Sequence, residues 1–176
     1  DILIDSLKAY LATIPQDDNR PRLLVLHQMG SHGPASYKRV PAQFKVFKPT
    51  CDTNAIQGCS REALLNSYDN TLLYTDYVLD SLIETLKNTT KYQSALWYLS
   101  DHGESTGESG MYLHGAPYAI APTQQTHIPM LMWFSTVWQH QAKQQIKCLA
   151  QQGRKELSQD NLFPTMLSLL DVKSKV

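Results

Sequence analysis

Apolar residues recur at close to helical spacing in four parts of the chain. Residues 1–14 carry such a pattern and predict an opening helix. A longer helix is predicted from Ser60, a good N-cap residue, to about Lys87, because leucines mark one face throughout. The spacing also predicts helices over residues 138–150 and 160–170, the second capped by a polar residue at 158 or 160.

Three short apolar runs alternate with these helices and predict strands. Residues 22–27 and 95–99 are almost continuously apolar, which is typical of strands buried on both faces. Residues 128–134 contain Pro129, so this strand should start late or lie at an edge. A helix, a connector and a buried strand in this order predict an α/β fold with a parallel sheet.

Two of the predicted strands end in glycine-containing loops that carry histidines. His27 and His32 follow the first run; Asp101 and His102 follow the second, and His114 comes twelve residues later. Ligands of α/β proteins bind just beyond the carboxyl ends of strands. Carboxylate oxygen and imidazole nitrogen suit a borderline metal such as zinc. Four of these residues, Asp101, His102, His32 and His114, are candidate ligands for one ion or for a two-ion phosphoryl-transfer site.

Composition limits the possible functions. The chain has 176 residues, 42% hydrophobic and 18% charged, which predicts one globular domain or a large part of one. Its formal net charge is zero, which argues against a nucleic-acid partner. We interpret the basic run of Lys38, Arg39, Lys45 and Lys48 as a solvated face. No apolar run approaches the ~20 residues that cross a bilayer. Because the chain does not begin with Met, we expect it to be a fragment whose anchor or targeting segment lies upstream.

The three cysteines bear on the compartment. Cys51 and Cys59 enclose a short polar stretch, which favours a disulfide loop and an oxidising compartment. Two free thiols in a cytosolic protein are the alternative. Cys148 is left over, either as a buried free thiol or as the partner of a cysteine outside this chain.

Three segments together resemble one known family. Residues 27–34 (HQMGSHGP), 68–76 (YDNTLLYTD) and 100–115 (SDHGESTGESGMYLHG) are similar to the bacterial lipid A phosphoethanolamine transferases, which include the mobile colistin-resistance enzymes. The resemblance extends from about residue 1 to residue 172. It implies an alkaline phosphatase/sulfatase-like α/β/α sandwich, of which residues 1–176 would be the C-terminal part.

The resemblance also implies an activity. The enzyme would transfer phosphoethanolamine from phosphatidylethanolamine to lipid A at the periplasmic face of the bacterial inner membrane, and so confer polymyxin resistance. A zinc-bound threonine would be the nucleophile, through a phosphoethanolamine-threonine intermediate. The pair Cys51 and Cys59 fits a disulfide loop typical of these periplasmic domains.

Residue roles follow from the same resemblance. Asp101 and His102 match two ligands of the main zinc. His32 and His114 match histidines around the substrate phosphate and a second zinc, which makes them catalytic candidates as well as ligands. Glu104 would support the second metal without being a main ligand. His27 would be structural, at the end of its strand.

The chain also departs from the family pattern. The nucleophilic threonine, the acidic zinc ligand and the membrane helices are expected upstream of residue 1, so this chain should be inactive alone. Residues 158–165 lack the histidines expected near 159 and 164. Two alternatives stay open: a sulfatase- or phosphatase-type hydrolase, and a non-catalytic module that binds a lipid headgroup or a partner.

Overall fold

The protein is described by a computed structural model, which covers residues 1–153 and 155–173. The chain forms two compact units. The first comprises Asp1–Thr13 and Leu26–Ser135, and the second comprises Ile14–Val25 and Thr136–Val176. Within the described residues, no helix has both the length and the apolar character needed to cross a bilayer.

Two helices form the core of the first unit, as the spacing predicts. Helix α1 spans Ile2–Thr13 and α2 spans Arg61–Lys87. The hydroxyl of Ser60 accepts a hydrogen bond from Ala63 N (3.2 Å), so Ser60 is the predicted N-cap. The apolar faces of the two helices meet in a buried cluster of Ile4, Leu7, Val78 and Leu82.

The strands of the first unit pair in two small antiparallel sheets. Strand β1 (Ala95–Leu99) pairs with β4 (Met130–Phe134), with Trp97 opposite Met132. Strand β2 (Ser105–Thr106) pairs with β3 (Tyr112–Leu113), and the four-residue helix α3 (Thr123–Thr126) precedes β4. The predicted positions of β1 and β4 are confirmed, including the late start after Pro129. The prediction of parallel pairing is wrong for these strands, because β1 lies beside a strand that runs in the opposite direction.

The predicted strand at residues 22–27 is not formed. The run has no assigned secondary structure, and Val25 is 81% exposed. Apolar, β-branched residues favour a strand only when a neighbouring strand binds their backbone groups. Here β1 and β4 bind each other, and the run is in neither sheet.

An irregular segment, residues 36–59, packs along α2. It contains short 3-10 turns at Ser36–Lys38, Ala42–Phe44 and Ile56–Gly58. The buried amide of Asn70 on α2 accepts from the backbone N–H groups of Val46 and Phe47 (2.9 Å each), which satisfies polar groups that no sheet pairs. Cys51 and Cys59 form the predicted disulfide, next to a second apolar cluster that includes Ile56, Ala63 and Leu64.

The second unit contains three helices among its described residues. Helix α4 spans Thr136–Gln141, α5 spans Lys143–Gln152 and α6 spans Leu162–Leu169. The single helix predicted over residues 138–150 is therefore wrong, because the backbone of Ala142 leaves the helical region (φ −112°, ψ 34°). Ser158, predicted as a candidate cap of the closing helix, caps the short turn Gln159–Asn161 instead, and α6 itself begins after Asn161. Cys148 is exposed, which contradicts a buried thiol.

Candidate metal centre

Three histidines from separate loops of the first unit converge. His32 follows the 22–27 run, His102 follows β1 and His114 follows β3. One ring nitrogen from each lies within 4.8 Å of one from each of the others. The ring centroids of His102 and His114 are 4.0 Å apart, and His32 lies 5.0 Å from His114 and 6.1 Å from His102. Among the described residues, this is the one group of three or more potential ligands at such spacing.

All three rings are held through the same nitrogen. Nδ1 of His32 lies 2.7 Å from Gly33 O, and Nδ1 of His102 lies 2.9 Å from Gly103 O. Nδ1 of His114 lies 3.1 Å from Glu104 Oε1. A carbonyl or carboxylate oxygen can only accept, so each Nδ1 carries the proton. The lone pair of every neutral ring is therefore on Nε2, the atom left to bind a metal.

Glu104 joins two of the three loops. Its Oε1 accepts from Gly33 N (3.0 Å) and from Nδ1 of His114. The side chain is 8% exposed, and Oε2 is buried with no hydrogen-bond partner among the described residues. Glu104 lines a cavity of about 50 Å³ whose wall also includes Ser67, Tyr68 and Ser105. A buried carboxylate is costly unless it is paired, so Glu104 is placed where a cation nearby would stabilise it.

The backbone before His114 is strained. Leu113 has φ +62°, in the left-handed region that a bulky side chain rarely adopts. Its side chain packs against Gly33, where an added Cβ would lie 2.3 Å from Leu113 Cδ2. Such outliers cluster at functional sites, where the surrounding packing holds them. The loops of His32 and His114 therefore contact each other directly as well as through Glu104.

Two further contacts hold the His32 loop. Ser31 Oγ lies 2.6 Å from Thr71 Oγ1 on α2, and Arg39 donates a hydrogen bond to the carbonyl of His32. Neither role is predicted from the sequence. Thr71 lies inside the 68–76 segment that carries the family resemblance, which was the available signal. For Arg39, the interpretation as part of a solvated face is wrong, because its guanidinium donates a hydrogen bond to the His32 loop.

Asp101 lies at the rim of the centre. Its side chain is 83% exposed, and Oδ2 is 3.7 Å from Nε2 of His102. Its Oδ1 accepts from the backbone N–H of His102 (3.0 Å). Of the four predicted ligands, the structure thus groups His32, His102 and His114 and leaves Asp101 adjacent to His102. His27 is exposed and ends no strand, so the expectation that it supports a strand end is wrong.

Two phenols near the centre stay neutral at physiological pH. Burial raises the pKa of Tyr68, and the nearby Glu104 carboxylate adds to the effect. Burial also raises the pKa of Tyr98, followed by the charge of Asp101. Neither phenol therefore adds negative charge around the three imidazoles.

The donor set fits a zinc ion. Imidazole nitrogen is a typical zinc ligand, and each Nδ1 faces an oxygen, as in known zinc sites, which leaves Nε2 for the metal. His102 and His114 are about one-third exposed, so a ligand has access from solvent. An accessible cation at this site would suit the recognition of a phosphate ester, because it would offset the negative charge of the phosphoryl oxygens.

Comparison with known proteins assigns the chain and its fold to a family. The sequence profile of the sulfatase family matches residues 1–172, and the chain belongs to that family. The chain is 49% identical to the phosphoethanolamine transferase EptA of Escherichia coli K12, over 99% of the chain and 32% of the relative. The chain therefore spans about a third of that protein's length.

Solved structures agree with this assignment. The soluble domain of lipooligosaccharide phosphoethanolamine transferase A from Neisseria meningitidis matches with a TM-score of 0.89 and 46% identity, over 97% of this chain and 50% of that one. The integral membrane form of the Neisseria enzyme gives the same TM-score over 31% of its length. The sulfatase-like fold and the resemblance to phosphoethanolamine transferases are thereby confirmed.

Proposed function

We propose that this chain is part of the catalytic domain of a zinc-dependent phosphoethanolamine transferase. The donor would be phosphatidylethanolamine and the acceptor lipid A, at the periplasmic face of a bacterial inner membrane. The observation that carries the proposal is the convergence of three histidines, one ring nitrogen of each within 4.8 Å of the others, beside Glu104, in a chain 49% identical to a protein named for this activity.

His32, His102 and His114 would hold the metal, with Asp101 able to reach it from beside His102. The ion would supply positive charge that binds and polarises the phosphoryl oxygens of the donor. The chain's own residues orient the site: Gly33 O, Gly103 O and Glu104 fix the three rings in one tautomer. His102 and His114 are about one-third exposed, so a lipid headgroup would approach the centre from solvent.

The covalent step needs a nucleophile that we do not assign to this chain. Transfer through a phosphoethanolamine-threonine intermediate would form a P–O bond to threonine and break the P–O bond to diacylglycerol, which would leave with the threonine proton. An oxygen of the acceptor phosphate would then form a bond to the same phosphorus and displace threonine, which would regain a proton. Thr71, which contacts the His32 loop through Ser31, also donates to the Tyr68 carbonyl and is 2% exposed. It is therefore a structural residue here.

A chimaera tests the proposed activity. The matching segment of E. coli EptA is replaced by this chain, and membranes are incubated with phosphatidylethanolamine labelled in the headgroup. We expect label on lipid A and increased colistin resistance in cells that carry the chimaera. The same chimaera with His102→Ala should lose both, and Lys147→Ala in the second unit serves as a matched surface control.

The other outcomes favour the alternatives. Release of free phosphoethanolamine without labelled lipid A would support a hydrolase of the same family. If the unmodified chain binds no zinc, or binds it equally well after His102→Ala, the non-catalytic module is favoured. Release of free phosphoethanolamine would change only the proposed acceptor, whereas zinc binding that is absent or unaffected by His102→Ala would reject the proposed metal centre.

A further inference from the structure

We propose that Gln125 is a positioning residue that sets the spacing between the His102 and His114 loops; the proposal rests on the metal centre proposed above. Gln125 belongs to α3, Thr123–Thr126, where its neighbours Gln124 and Thr126 are exposed and Gln125 itself is 7% exposed. A single buried amide on a four-residue helix is costly unless its polar atoms are paired.

Gln125 makes three hydrogen bonds, one through its backbone and two through its side-chain amide, and each reaches a different part of the centre. The backbone carbonyl of Gln125 accepts from Gly103 N (3.0 Å), next to His102. Its side-chain Nε2 donates to Ser105 Oγ (2.9 Å), next to Glu104. Its Oε1 accepts from Ala116 N (3.2 Å), two residues after His114.

The backbones are also in close contact at this point. A Cβ on Gly103 would lie 1.9 Å from the carbonyl oxygen of Gln124, so the strand-end loop is packed directly on α3. The hydrogen bonds described for Gln125 go to Gly103, Ser105 and Ala116, and none goes to a histidine ring. Gln125 acts through the loops, by holding His102, Glu104 and His114 on one rigid support. Outer groups of this kind typically change metal affinity by 10–100-fold.

Cobalt binding by the full chain tests this inference. Co²⁺ takes the same ligands as zinc, and its visible absorption reports ligand number and geometry. Gln125→Met keeps the side-chain size but removes both side-chain hydrogen bonds; we expect about tenfold weaker Co²⁺ binding and an altered spectrum. Gln124→Ala, an exposed neighbour, should match the parent chain. Circular dichroism of the metal-free chains measures the folded fraction.

A second variant covers the case in which Gln125→Met does not fold. Ser105→Ala leaves Gln125 in place and removes only the partner of its Nε2, and we expect a smaller shift in the same direction. Parental affinity and spectrum in the folded variants would overturn the inference, as would a loss that merely follows the folded fraction. If the parent chain itself binds no Co²⁺, the proposed metal centre fails and this inference fails with it.

Discussion

The loops of His32 and His102 reach the same centre from different supports. His102 follows β1, whose backbone is paired along its length with β4 and whose Leu96 packs against the α1–α2 core. His32 follows a largely exposed run that belongs to neither sheet. A strand fixes its loop through many backbone hydrogen bonds, whereas the His32 loop depends on a few side chains. We therefore expect changes that displace the backbone to disrupt the His102 loop, and changes that remove single side-chain hydrogen bonds to disrupt the His32 loop.

The largest effect is expected at Gly103, on the strand-supported side. Gly103→Ala places a methyl group against the Gln124 carbonyl, a backbone atom that cannot rotate away. We expect a loss of about 3 kcal/mol in the free energy of unfolding, together with loss of zinc binding. Urea unfolding of the metal-free chain measures the first. Gly58→Ala is the control, because a Cβ there meets no atom within 4 Å; equal stability of the two variants would contradict the close contact.

Glu104→Gln is expected to act mainly on the connection between loops. The glutamine side chain has nearly the same shape as glutamate but no charge. Its oxygen would therefore accept more weakly from Nδ1–H of His114 and from the N–H of Gly33. We expect zinc affinity to fall about 10–100-fold, measured by competition with a chelator. Glu108→Gln, in the same loop, is the matched control and should stay within about twofold. Unchanged affinity in Glu104→Gln would remove Glu104 from the centre.

A smaller effect is expected from Thr71→Val, which tests the support of the His32 loop. The variant keeps the size of the side chain and removes the hydroxyl that contacts Ser31. We expect about 1 kcal/mol lower stability, and NMR shifts confined to the His32 loop rather than the His102 loop. Thr75→Val, a buried threonine one turn further along α2, is the control. Shifts at both histidines would show that the loops are not independently supported.

The smallest effect concerns Glu108 and pH. Burial opposes its charge, but hydrogen bonds from its own N–H, from Thr106 N and from Thr106 Oγ1, with Arg61 nearby, lower its pKa below 4.5. Because the folded-state pKa is depressed, the stabilisation is present above 4.5 and is lost as pH falls through the folded value. The melting-temperature difference between the parent and Glu108→Gln should therefore shrink in acid. A difference that grows as pH falls would contradict this sign.

The sequence predicted local features better than pairing. Helical periodicity and the Ser60 cap were sufficient for α2, because both signals lie within one element. The direction of the strand beside β1 and the fate of the 22–27 run were not predictable, since each depends on which backbone lies next to it. The break at Ala142 has no residue in the sequence that marks it.

The site was predicted from its histidines but not from its supports. Glycine-containing loops beyond apolar runs pointed to His32, His102 and His114, and the structure brings these three together. Arg39, Thr71 and Gln125 act on the loops through hydrogen bonds to residues distant in the chain. Residue type carries no sign of such a partner. The zinc, threonine-intermediate and lipid A assignments stay predictions.

The most direct test is a crystal structure of the chain grown with zinc and measured at wavelengths on either side of the zinc absorption edge. The account predicts an anomalous peak bonded to Nε2 of His32, His102 and His114 at about 2.0–2.1 Å, with each Nδ1 still facing its oxygen. A peak bound through any Nδ1, or no peak at the three rings, would contradict it.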